Sequence, residues 1–143
     1  DQKIIESFGG IKVNDLNEGL KDTDILSLSV PLTEQTYNMI NIKKMKIMKK
    51  NAIIINTSRG GVVNEKDLNE ALNEGVIYGA GLDVFEKEPP DNNNPLLKNK
   101  RAVLSPHAAT FTQECLSKMS IETVQNIIDF FEGKLNKNSI VKI

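Results

Sequence analysis

An α/β fold with a mostly parallel sheet flanked by helices follows from three observations. Short runs rich in β-branched or small residues, near 24–30, 52–56, 76–85 and 101–104, are each bounded by turn residues. Helical spacing and cap signals lie between most of these runs, which is the alternation of a βαβ chain. Ala52–Ile55 is apolar without alternation, as a strand covered on both faces is. The crossovers of such a sheet are right-handed.

In chain order, residues 2–8 read as a short helix stopped by Gly9 and Gly10. Ile11–Val13 reads as a short strand. Asp15–Lys21 reads as a helix, with Leu16 and Leu20 on one face. Asp24–Val30 is a strand that Pro31 stops, and Thr33–Ile40 is a turn or single helical turn. Asn41 caps a helix to about Lys49, with Ile40 and Met45 at the staple positions and a solvated lysine face. Asn64 caps a helix to Glu74, with Asp67 at its third position, Val63 packed on Leu68, and Gly75 just past its end. Val76–Phe85 is a strand whose Gly79 and Gly81 imply close backbone approach. Glu86–Lys100 is a polar loop, and Arg101–Leu104 is a strand. A helix from about Phe111 to Glu132 closes the pattern, with Thr110 and Gln113 as a capping box and Gly133 as its stop. Leu116, Met119, Val124, Ile127, Ile128 and Phe131 form its apolar stripe.

The 143 residues are 39% hydrophobic and 26% charged, enough for one globular domain with a core. A net charge of −1 gives no electrostatic case for nucleic acid or an anionic membrane as partner. No apolar run approaches the ~20 residues that span a bilayer. The one cysteine, Cys115, excludes a disulfide framework, reads as packing in the last helix, and makes a reducing, cytoplasmic compartment the expectation. One histidine and one cysteine leave no zinc site of known spacing, so no metal is expected. The sequence opens on Asp1 rather than methionine, which reads as a processed product or a piece of a longer chain.

Candidate chemistry sits where the strands end. Arg59 follows the 52–56 run beside Gly60 and Gly61, and Asp83 and Glu88 lie at and just beyond the end of the strand 77–84. His107 follows 101–104. In a parallel sheet these ends share one edge, where ligands of open α/β sheets bind. An arginine there clamps a carboxylate or phosphate bidentately, or is an ordinary surface arginine in a strand-to-helix loop. A carboxylate beside a histidine fixes its tautomer and favours its charged form, which makes an acid/base pair; the alternative is a structural histidine behind a proline turn. Gly79-Ala80-Gly81 carries Val84 where a third glycine would complete a phosphate loop, and it lies within a strand, so it is not one.

Four motifs in order then point to a family. Ser-Val-Pro-Leu-Thr at 29–33, Ile-Asn-Thr-Ser-Arg-Gly-Gly-Val-Val-Asn at 55–64, Gly-Leu-Asp-Val-Phe-Glu-Lys-Glu-Pro-Pro at 81–90 and Ser-Pro-His-Ala-Ala-Thr at 105–110 resemble the NAD-binding domain of the D-isomer-specific 2-hydroxyacid dehydrogenases. Within the family the pattern is most similar to D-3-phosphoglycerate dehydrogenases, with glyoxylate or hydroxypyruvate reductases as the alternative. The resemblance extends to non-enzymatic corepressors, which keep a similar triad. It implies a Rossmann-like sheet that is incomplete on its N-terminal side. The glycine-rich loop, its strand and the substrate domain would all lie upstream of Asp1. It implies that Arg59 binds the substrate carboxylate, Glu88 supports the histidine and His107 exchanges the proton. NAD would be lined by Val30, Thr57, Ser58, Arg59, Asp83, His107, Ala108, Ala109 and Thr110, with Asp1 on the adenosine ribose. The implied partner is a small acidic 2-hydroxy or 2-oxo acid, and the implied assembly of the intact protein is a homodimer.

Overall fold

The strand expected at 52–56 lies inside a parallel sheet. In this computed structural model the described residues are 2–140. The chain divides into two units, Asp1–His107 and Ala108–Ile143. The first holds the helices α1 (Gln2–Ser7), α2 (Leu16–Lys21), α3 (Ile42–Met45) and α4 (Glu65–Glu74), and the strands β1 (Ile25–Leu28), β2 (Ile53–Asn56), β3 (Gly79–Leu82) and β4 (Ala102–Leu104). The second holds α5 (Gln113–Phe131) and a 3₁₀ turn, Lys137–Ser139.

The strands pair in chain order, β1-β2-β3-β4, all parallel. Leu26, Ile54, Ala80 and Ala102 share one row, and Leu28, Asn56, Leu82 and Leu104 another. Leu28, Ile54, Ala80 and Leu82 join Leu20, Met45, Leu68 and Leu72 in the core. The opposite face carries Ile25, Ile53, Ile55 and Val103; Ile25 is 65% and Val103 76% exposed. One face of the sheet is therefore packed and the other is open.

Most caps form as expected. The Asn41 side chain accepts from the N–H groups of Lys43 and Lys44, and Ile40 and Met45 are fully buried at the staple positions. Asn64 accepts from Asp67 N–H at 2.9 Å. Gly75 takes φ = 70° and closes α4 with its N–H on the Ala71 and Leu72 carbonyls.

Five expectations fail or shorten, among them the strand at 24–30, which forms only over Ile25–Leu28. Ile11–Val13 is not a strand: no described strand pairs with it, and Ile11 is 88% exposed. The helix begun by Asn41 ends at Met45 rather than Lys49, because the chain tightens to i−3 bonds from Ile47 and Met48 that bury Met48 beside Met45. The strand at 76–85 pairs only over Gly79–Leu82, since β2 offers only Ile53–Asn56 as its partner. Thr110 does not cap α5. Phe111 N–H bonds back to the Ala108 carbonyl in a turn, and Thr112 becomes the cap, accepting from Cys115 N–H at 3.2 Å. The loop 86–100 also holds an unforeseen 3₁₀ turn, Pro95–Lys98, that buries Leu96.

Candidate functional site

The loop after each strand end places one part of the site. After β2, the buried Asn56 folds the chain back on itself. Its Oδ1 accepts from Ser58 N–H at 3.0 Å and from Ser58 Oγ at 2.8 Å, and its Nδ2 donates to the Arg59 carbonyl at 3.0 Å. All three bonds converge on one side chain that is 2% exposed. The Arg59 backbone is thereby fixed, while its guanidinium reaches solvent and Nη1 donates to the Ser58 carbonyl at 2.7 Å.

After β3, Asp83 is buried and accepts from Ser105 Oγ, a short bond across to the end of β4. Asp83 N–H donates to the Asn56 carbonyl at 3.0 Å, and the Asp83 carbonyl accepts from His107 N–H at 2.8 Å. These two backbone bonds tie the β2 and β4 ends to the same residue. Glu88 then turns back: its Oε1 accepts from Phe85 N–H at 3.0 Å, and its Oε2 meets His107 Nδ1 at 2.7 Å.

That last contact is the centre of the site. The hydrogen bond from His107, then that from Phe85 N–H, holds the Glu88 carboxyl below its usual range. An ionised Glu88 accepts only, so Nδ1 carries the proton and Nε2 is the histidine's free end. Both side chains are partly open to solvent, His107 at 50% and Glu88 at 38%. His107 also sits at φ = 52°, a region that costs non-glycine residues energy, and its N–H and ring bonds hold it there.

Two concavities border these residues. One, of about 420 Å³, is lined by Phe85, Glu88, Leu97, Leu104 and His107 among others and is mostly apolar. The other, of about 640 Å³, lies at the ends of β1 and β2 between Ser29–Leu32 and Thr57–Arg59. Val30, Thr57, Ser58 and Arg59, expected along the cofactor, therefore share one cleft. Its size suits a small-molecule ligand, and its place outside the carboxyl ends of parallel strands suits a nucleotide.

The structure brings Glu88 and His107 into direct contact and puts Arg59 on the second cleft. Asp83 lies beneath the surface as a brace on Ser105 rather than on either concavity. Ala108, Ala109 and Thr110 belong to the second unit, and Asp1 lies outside the described residues. Asn56, Ser105 and the Phe85 N–H were not foreseen as site-builders. Asn56 was legible in principle, since an asparagine two residues before a serine at a strand end is an Asx-turn signature. Among the described residues no group of acidic, histidine or cysteine side chains could hold a metal ion, and no helix is long and apolar enough to cross a membrane.

The family model for the NAD binding domain of D-isomer specific 2-hydroxyacid dehydrogenases matches residues 1–109. A glyoxylate reductase of Korarchaeum cryptofilum is 47% identical over 131 residues, which are 92% of this chain and 40% of that relative. A D-3-phosphoglycerate dehydrogenase of Methanocaldococcus jannaschii is 41% identical over 139 residues, 97% of this chain and 26% of the relative. The NAD-complexed D-isomer specific 2-hydroxyacid dehydrogenase of Lactobacillus delbrueckii ssp. bulgaricus superposes with a TM-score of 0.83 at 33% identity, covering 95% of this chain and 45% of that one. The chain spans less than half the length of each of these relatives.

Proposed function

The chain belongs to the D-isomer-specific 2-hydroxyacid dehydrogenases through their NAD-binding domain, and from that premise we propose that the intact polypeptide interconverts a small D-2-hydroxy acid and its 2-oxo acid. The observation that carries this reading is the 2.7 Å contact between Glu88 and the chain's single histidine. NAD, when bound, supplies the hydride acceptor for the substrate carbon. Val30, Thr57 and Ser58, which line the cleft at the β1 and β2 ends, would hold it there.

His107 takes the substrate hydroxyl proton at Nε2 during oxidation and returns it during reduction. Glu88 keeps the ring in the tautomer that leaves Nε2 unprotonated, and it stabilises the imidazolium that forms. Arg59, at the mouth of the neighbouring cleft, meets the substrate carboxylate and fixes its orientation. Asp83 braces the β4 end through Ser105. By the resemblance to the family, Asp1 would serve the adenosine ribose and residues 108–110 the NAD site, and the intact protein would be a cytoplasmic homodimer.

The first substrate of this reading is glyoxylate, since two relatives at 47% identity are named glyoxylate reductases; hydroxypyruvate joins it through a relative at 41% named glyoxylate/hydroxypyruvate reductase. 3-Phosphoglycerate is the second reading, favoured by the Methanocaldococcus relative. Arg59 serves the C1 carboxylate in either case, so the choice rests on the group at the far end of the substrate. Steady-state kinetics of the intact polypeptide with NADH and each 2-oxo acid tests both. A kcat/KM for glyoxylate or hydroxypyruvate that exceeds the phosphorylated substrate's by tenfold supports the first reading, and the reverse order selects the second. No turnover of any of them sinks the dehydrogenase assignment in favour of a non-enzymatic, corepressor-like relative.

A further inference from the structure

Gly60 has no room for a side chain. A Cβ built there would lie 1.8 Å from the Phe85 carbonyl oxygen and 2.6 Å from the Glu86 nitrogen. Both are backbone atoms, so no rotamer change relieves the clash. The segment they belong to is pinned from two other directions. Glu86 N–H donates to Glu65 and the Glu86 carboxylate accepts from Glu65 N–H, while Phe85 N–H donates to Glu88. On the far side of the contact, Asn56 holds the Arg59 carbonyl just before Gly60.

We infer that Gly60 is a positioning residue for the Glu88–His107 pair, because only a bare backbone at this position lets the Phe85–Glu86 peptide rest against the Arg59 loop. Any side chain at 60 drives that peptide outward. The Phe85 N–H then leaves Glu88 Oε1, and the carboxylate loses one of the two donors that aim Oε2 at Nδ1. The glycine thus sets the register between the loop that carries Arg59 and the partner of His107. Its catalytic meaning rests on the proposed acid/base role of the pair; the contact itself does not.

The test is an acid titration of the Glu88 carboxyl carbon by NMR in the 143-residue chain, in Gly60→Ala and in Gly75→Ala. The charged groups acting on Glu88 are His107, which lowers its midpoint, and Asp83, which raises it. Gly60→Ala should move the midpoint up toward the ordinary 4.5 and weaken the Glu88–His107 contact. Gly75→Ala strains a backbone at φ = 70° far from the pair, so it controls for destabilisation alone and should leave Glu88 unchanged. An unmoved midpoint in Gly60→Ala, or an equal rise in Gly75→Ala, overturns the inference. In the unchanged chain a nuclear Overhauser contact between Gly60 Hα and the Glu86 amide supports it, and the absence of that contact overturns it, whether or not the variant folds. None of these readings involves turnover, so loss of the dehydrogenase assignment would leave them standing.

Discussion

At the scale of single residues, the Glu88–His107 pair makes a pH-dependent contribution whose sign is set by the carboxylate. Its folded value lies below the ordinary 4.5, so the pair stabilises the fold fully above that pH and loses its contribution as pH falls through the lowered value. Urea unfolding of the chain should therefore show a smaller difference from Glu88→Gln at about pH 3 than at about pH 6. In the intact polypeptide His107→Ala should cost about 10²–10⁴-fold in kcat. Adding Glu88→Gln should cost little more, because the carboxylate acts only through the ring; losses that multiply would separate the two. Arg59→Ala should lower kcat/KM for the acidic substrate by about 2–4 kcal/mol with little change in NAD affinity; isothermal titration with NAD and initial rates measure each. The pair and the arginine were legible because strand ends of a parallel sheet share an edge. The braces were not, since Ser105 on Asp83 and Phe85 N–H on Glu88 depend on loop paths that no periodicity encodes.

At the scale of elements, caps carried the most information and lengths the least. Asn64 binds the N–H three residues on, as its sequence position requires. Asn64→Ala should destabilise the chain by about 1 kcal/mol in chemical unfolding, without change in the slope. The sequence offers a capping box at Thr110 with Gln113, but the cap observed at the start of α5 is Thr112. The turn between Ala108 and Phe111 moves the start of the helix two residues on, which spacing alone does not show. Two lengths shifted for a tertiary reason. The four residues of β2 set how far β3 can pair, and burial of Met48 converts the end of α3 into tighter turns.

At the scale of the whole molecule, the sequence of 143 residues contains no Gly-x-Gly-x-x-Gly, so the backbone donors such a loop gives a pyrophosphate are not among them. The chain by itself should bind NAD weakly or not at all in calorimetry, and micromolar affinity would overturn that expectation. The open sheet face that carries Ile25 and Val103 should bind a hydrophobic dye such as ANS, and Val103→Lys should reduce the signal. The order β1-β2-β3-β4 has a further consequence, for synthesis rather than for chemistry. Among the described strands, β2, β3 and β4 each pair with the one translated just before, so none of these three is inserted between earlier ones. Loop-closure entropy is met in small, successive steps. A nascent chain leaving the ribosome can dock β2 on β1 before β3 exists, and the acid/base pair forms only when His107 emerges after Glu88.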